Sequence, residues 1–132
     1  MEFTELKVGM KLQTEEAVTA GNTADALGSG SLDVYATPAM ACLMEKAAAE
    51  LAERHLPEGW TSVGISLNIS HKAPTPVGMT VRAEAEILQV DGRKLTYNVR
   101  AFDDREEIGS GTHERFAVMK EKFMAKALGK AQ

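Results

Sequence analysis

The sequence predicts an α+β domain in which one long helix is wrapped by a five-stranded antiparallel sheet. Three observations carry that expectation. Residues 38–55 hold an apolar stripe at helical spacing. Beyond them the apolar residues alternate at period two almost to the end of the chain. The later strands are separated by short connections such as Asp91-Gly92, too short for the crossovers that parallel strands need.

The elements follow in order. An alternating stretch from Gln13 to Val18 predicts a short first strand. Thr19 to Ala36 is rich in Gly and Ser, including Leu27-Gly28-Ser29-Gly30-Ser31-Leu32. It exceeds the roughly 12 to 15 residues at which structureless loops become uncommon, so it reads as a lid or as a loop hiding a short helix. The long helix is expected from Pro38 to about His55, with Thr37 as N-cap and proline at the first helical position, where its missing N–H costs nothing. Pro57 and Gly59 mark its end. Met40, Leu43, Met44, Ala47, Ala48 and Leu51 form its core face, and Lys46, Glu50, Glu53 and Arg54 its solvent face. Val63, Ile65, Leu67 and Ile69 predict a strand ending near His71, and Val81, Ala83, Ala85 and Ile87 predict another. Asp91-Gly92 suits a type I′ turn into a return strand carrying Leu95, Tyr97, Val99 and Ala101. A last strand, Ile108 to Val118, contains Gly109 and Gly111, which are expected to loosen it, and a weak helix follows from Met119 to Leu128. One helix, about 10 to 12 Å wide, covers only part of a sheet about 20 Å across, so a homodimer joined edge to edge is expected to bury the rest.

Composition bounds the function. At 132 residues, 44% apolar and 26% charged, the chain is expected to form one domain, 1–132, with one core. A net charge of −4 argues against a nucleic-acid binder. No apolar run approaches the roughly 20 residues that span a bilayer, the start Met1 to Glu5 lacks a basic-then-apolar leader, and Cys42 is the only cysteine. No membrane partner and a cytoplasmic location are therefore expected. Residues 1–70 carry 4 Lys/Arg against 10 Asp/Glu, whereas residues 71–132 carry 11 against 9. The phosphates of an anionic ligand should fall on the second half.

Three residues stand out as carriers of chemistry. Glu45 lies about 130° around the helix from the charged wedge, on a face shared with Ala41, Ala48, Ala49 and Ala52. Small neighbours let another backbone approach and withdraw that carboxylate from water; ordinary solvation at a helix edge is the plainer reading. Thr37 either caps the helix or helps its N-terminus polarise a carbonyl. It precedes Glu45 by eight residues, about 12 Å of helix, so a shared site needs a substrate or a second subunit between them. His71 closes a strand before Lys72-Ala73-Pro74-Thr75-Pro76, where it suits proton transfer near neutral pH, although lone histidines are more often structural. His55 and His113 are assigned structural roles. No serine stands in G-x-S-x-G, no Cys/His/carboxylate set has metal-ligand spacing, and Gly28-Ser29-Gly30 lacks the rest of a dinucleotide fingerprint. Neither a metal nor a redox cofactor is expected.

Thr37, Glu45 and His71, spaced by eight and twenty-six residues, together with Ser70-His71-Lys72-Ala73-Pro74-Thr75-Pro76 and Gly109-Ser110-Gly111-Thr112-His113-Glu114-Arg115, resemble the fluoroacetyl-CoA thioesterase-like branch of the hot-dog superfamily, from about Val34 to Lys126. The resemblance implies a hot-dog homodimer, or a dimer of dimers, with active sites at the subunit interface that hydrolyse short acyl-CoA thioesters. It implies Thr37, Glu45 and His71 as catalytic residues, Gly64 as the strand glycine facing the acyl group, and Arg115 as a substrate or structural contact. Coenzyme A would enter as part of the substrate, with no separate cofactor. Fluoroacetyl specialists are expected to line the pocket with aromatic rings before the helix, and Leu27 to Leu32 has none. A generic short or medium acyl-CoA, or an aromatic one, is therefore expected over a fluorinated one. The competing expectation is a non-catalytic acyl-CoA-binding module; a hydratase is disfavoured by the Thr/Glu/His register.

Overall fold

The computed structural model describes residues 5–132; Met1 to Thr4, on which part of the expected domain 1–132 and the reading of the first residues fall, lie outside the described residues. Strand β1 (Lys11–Ala17) leads through a 3-10 turn (Ala20–Asn22) to a one-turn helix α1 (Ala24–Leu27) and the long helix α2 (Thr37–Glu53). Then come β2 (Trp60–His71), β3 (Thr80–Asp91), β4 (Lys94–Phe102), β5 (Glu107–Met119) and a terminal helix α3 (Lys120–Gly129). The strands form one sheet in the order β1-β3-β4-β5-β2, antiparallel throughout. This is the expected architecture.

The core sits between α2 and the inner face of the sheet. Met40, Leu43, Met44, Ala47, Ala48 and Leu51 are buried as their spacing predicts, against Val81, Ala83, Ala85, Ile87, Leu95, Tyr97, Val99 and Ala101. The sheet alanines let the helix approach closely, and the Tyr97 hydroxyl, fully buried, donates to the Ala48 carbonyl at 3.1 Å. Helix α3 buries none of its residues.

Local details depart from expectation for identifiable reasons. The segment before α2 is not structureless. Thr19 and Asn22 cap the 3-10 turn reciprocally, Thr23 accepts from the Ala26 N–H to cap α1, and bridges Thr23–Tyr35 and Val34–Pro76 tie the segment down. The β3–β4 hairpin turns one residue later than expected. Asp91 pairs with Lys94, leaving Gly92 and Arg93 as the two-residue loop with φ of +60° at Gly92, the first central position, as in a type II′ turn. Glycine takes the one left-handed position and Asp91 keeps its place in the ladder.

Gly109 and Gly111 do not loosen β5; they let β2 come close. A Cβ on Gly111 would collide with the Asn68 carbonyl oxygen and lie 2.7 Å from Ile69 Cα, and one on Gly109 would lie 2.6 Å from Met40 Sδ and 2.8 Å from the Ser70 carbonyl oxygen. Gly111→Ala should therefore destabilise the fold by about 1–3 kcal/mol, because backbone rather than a flexible side chain has to yield. Thermal melting of the variant checks this, and an unchanged midpoint would contradict the close approach.

Candidate active site

Two sets of side chains are built, one at each end of the path between Thr37 and Glu45. The first joins α2 to the end of β2. Thr37 is not the N-cap: Ala36 is, its carbonyl accepting the first helical bond from the Met40 N–H at 3.0 Å, and it makes no side-chain cap bond. The helix thus begins one residue earlier than expected, and the Thr37 hydroxyl is freed from capping. Its Oγ1 lies 2.7 Å from His71 Nδ1. His71 ends β2 opposite Gly109, and the chain beyond it is held by the Lys72 and Ala73 N–H groups donating to the Ile108 carbonyl at 2.6 and 3.3 Å. Burial pushes the His71 imidazole below its ordinary value, against a smaller upward pull from the Ala73 backbone. Its Nε2 is buried and has no hydrogen-bond partner among the described residues. Thr37 and His71 line a cleft of about 260 Å³ with Ala24, Ser29, Val34 and Lys72.

The second set surrounds Glu45. Its Oε2 lies 4.0 Å from Arg115 Nη1, and a Cβ placed on Gly64 would meet that same oxygen at 3.0 Å. Glycine at position 64 therefore leaves room for the carboxylate against the strand backbone. The Arg115 side chain is 9% exposed and is fixed by other bonds: Nε donates to Ser62 Oγ at 2.8 Å, Nη2 to the Ser62 carbonyl at 3.0 Å, and Nη1 to His113 Nε2 at 3.2 Å. To accept there His113 must be neutral and carry its proton on Nδ1, which donates to the Ser66 carbonyl at 2.8 Å. Burial lowers its affinity for a second proton and the Arg115 charge adds to the effect, against the pull of the Ser66 carbonyl. His113 also stacks on Tyr97 with ring centroids 5.9 Å apart. The Glu45 side chain is 45% exposed in the single chain, so a guanidinium rather than deep burial sets its surroundings.

The structure therefore brings Thr37 to His71, and Glu45 to Gly64 and Arg115. Among the described residues no hydrogen bond or ion pair links the two sets within one chain. His113 keeps the structural role expected of it, and the part of that role unseen from sequence is to accept from Arg115 Nη1. The available signal was parity: His113 and Arg115 are two apart on one strand and so share a face. Among the described residues no three His, Cys, Asp or Glu side chains gather as a metal would require, and no helix is long and apolar enough to cross a membrane. What the site offers is an oriented carboxylate beside bare backbone, and a hydroxyl–imidazole pair able to pass a proton.

Comparison with known proteins shows the family. Residues 18–121 match the family model described as FlK, fluoroacetyl-CoA-specific thioesterase. The chain is 45% identical over 94 residues to the fluoroacetyl-CoA thioesterase of Streptantibioticus cattleyicolor, a match covering 71% of this chain and 68% of that protein. A solved structure of the fluoroacetyl-CoA thioesterase FlK superposes with a TM-score of 0.88 at 37% identity, over 95% of this chain and 97% of that one. A hot-dog-like protein from Thermanaerovibrio acidaminovorans, 24% identical, shares the fold with a TM-score of 0.89 over 98% of this chain and 97% of its own. The chain belongs to the fluoroacetyl-CoA-specific thioesterase family, and so to the thioester hydrolases built on the hot-dog fold.

Proposed function

We propose that this chain hydrolyses a short or medium acyl-CoA to the free acid and coenzyme A, with Glu45, His71 and Thr37 as its catalytic residues. The observation that carries the reading is the Thr37–His71 hydrogen bond, which takes a hydroxyl away from the helix end and gives it to an imidazole at the wall of a cleft. Glu45 attacks the thioester carbonyl or takes a proton from the water that does; His71, neutral at the outset, accepts the proton the water releases and returns it to the departing thiolate; Thr37 orients the acyl group or the water. Gly64 lets the acyl group lie against the strand, and Arg115 holds the carboxylate. A mutant of FlK has been solved with acetyl-CoA, which supports an acyl-CoA as the substrate here. The cleft wall supports a non-fluorinated acyl group: among the described residues Tyr35 has the only phenyl-type ring on it, and that ring is buried with its hydroxyl donating to Glu16.

The two sets of residues become one site in a homodimer. Strand β2 lies at the sheet edge with twelve residues and one unpaired side, and Ile65 at its irregular point is 50% exposed. Such an edge invites pairing with a second copy. Ile65→Lys should shift a dimer toward monomer in light scattering and remove thiol release with it; a fully active monomer would refute the shared site. The decisive experiment for the reading as a whole is a thiol-release screen over straight-chain, fluorinated and aromatic acyl-CoAs. Turnover of short or medium acyl-CoAs is expected, and tight binding without thiol release would replace hydrolysis by a ligand-binding role.

A further inference from the structure

The loop that follows His71 is anchored by a buried polar pair that the reaction itself does not use. Thr75 is fully buried between Pro74 and Pro76, and its hydroxyl donates to Asp103 Oδ2 at 2.8 Å. Asp103, 6% exposed, sits in the β4–β5 turn, where Oδ1 accepts from the Arg105 N–H at 2.8 Å and the Glu106 N–H at 3.0 Å. Those two bonds are what an aspartate does for a turn anywhere. The third is not: it reaches 28 residues back along the chain, to a side chain in another loop. The backbone of the same threonine completes the connection. Its carbonyl accepts from the Tyr35 N–H at 2.8 Å, and the neighbouring Pro76 bridges to Val34. Tyr35 lies two residues before Thr37.

We propose that Thr75 and Asp103 are positioning residues that set Thr37 and His71 in register. The reasoning rests on the functional reading above for its catalytic consequence, and on geometry alone for its structural one. Two segments must meet for the 2.7 Å contact between Thr37 and His71: the stretch entering α2 and the loop leaving β2. Neither is held to the other by a shared ladder. At the near end, Ile108 fixes Lys72 and Ala73; at the far end, Thr75 fixes Tyr35. Asp103 fixes Thr75 in turn. A carboxylate taken out of water is costly unless its oxygens are satisfied, and here three donors satisfy it. Loss of the Thr75 hydroxyl would leave Oδ2 without its partner and let the loop move away, carrying the imidazole with it.

The test uses the full-length protein and two readouts. Thr75→Val keeps the shape and removes the donor, while Thr75→Ser keeps the donor. Thr75→Val should lower kcat by about tenfold to a hundredfold, the effect of a misplacement of about 1 Å, while KM changes less than about twofold. Thr75→Ser should return kcat to within about twofold of the parent. Independently of turnover, the ring-nitrogen resonances of His71 should lose the Nδ1 hydrogen-bond signature in Thr75→Val and regain it in Thr75→Ser. If Thr75→Val does not fold, Asp103→Ser, whose hydroxyl still accepts from the turn N–H groups but is too short to reach Thr75, should give the same kcat loss and ring signature. Unchanged kcat and unchanged ring resonances in a folded variant overturn the proposal. A parent protein that hydrolyses no acyl-CoA overturns the hydrolase reading instead, and the ring resonances then still decide whether Thr75 positions His71.

Discussion

Glu45→Gln lowers kcat by about 10²-fold or more and leaves the fold intact. Glutamine keeps the length and shape of the side chain but can neither attack a carbonyl nor take a proton from water, so either role of the carboxylate is lost. The structural cost is small for two reasons. The side chain is 45% exposed in the single chain, and Arg115 keeps its bonds to Ser62 and His113 when the opposing charge is removed. KM should change far less than kcat, because the carboxylate acts on the reacting centre rather than on the body of the substrate. Steady-state thiol release together with thermal melting separates the two effects. Near-parental kcat in a folded Glu45→Gln protein would end the assignment of Glu45 as the reacting carboxylate.

His71→Ala should cost a similar factor, about 10²-fold in kcat, and should also change the shape of the pH profile. Burial pushes the His71 imidazole below its ordinary value. The sign follows from that direction: the neutral ring, able to take a proton, persists to lower pH than in a free histidine. The limb of kcat/KM attributable to His71 should therefore lie below about pH 6.5, with activity lost as pH falls through it. In His71→Ala that limb should disappear while the residual rate stays flat across the same range. A limb above pH 6.5 that survives the substitution would show that another group governs it.

Much of this molecule is readable without coordinates because its two periodicities are clean. The apolar stripe of α2 and the alternation in β3 and β4 mark which faces are buried, and the buried residues match; in β2, at the sheet edge, Val63, Leu67 and Ile69 are only half-buried and Ile65 is exposed. The alanine face around Glu45 points to a close backbone approach, which Gly64 makes, but the expected withdrawal of the carboxylate from water is not met: the side chain is 45% exposed in the single chain. Thr37 was harder. A threonine before a proline at a helix start satisfies the rules of an N-cap, and only the distant strand end, through His71, competes for its hydroxyl. The hairpin turn was displaced because the preference of Asp-Gly for two left-handed residues yielded to one more rung of ladder pairing. The bond from Arg115 to His113 escaped notice because the place of Arg115 depends on Ser62 across the sheet. Such long-range dependence leaves no periodic trace. The Thr75–Asp103 pair is of the same kind.

The glycines of β5 have one more consequence. Sliding β5 by two residues along β2 would bring His113 opposite Ile69 in one direction or Glu107 opposite His71 in the other, each with a Cβ where the backbones nearly touch, and the strands could not close there. The pair works like a key cut for a single alignment, forbidding the slipped sheets that alternating sequences otherwise permit. Since His71 sits on the last rung of that alignment, opposite Gly109, the imidazole inherits its address from two missing side chains.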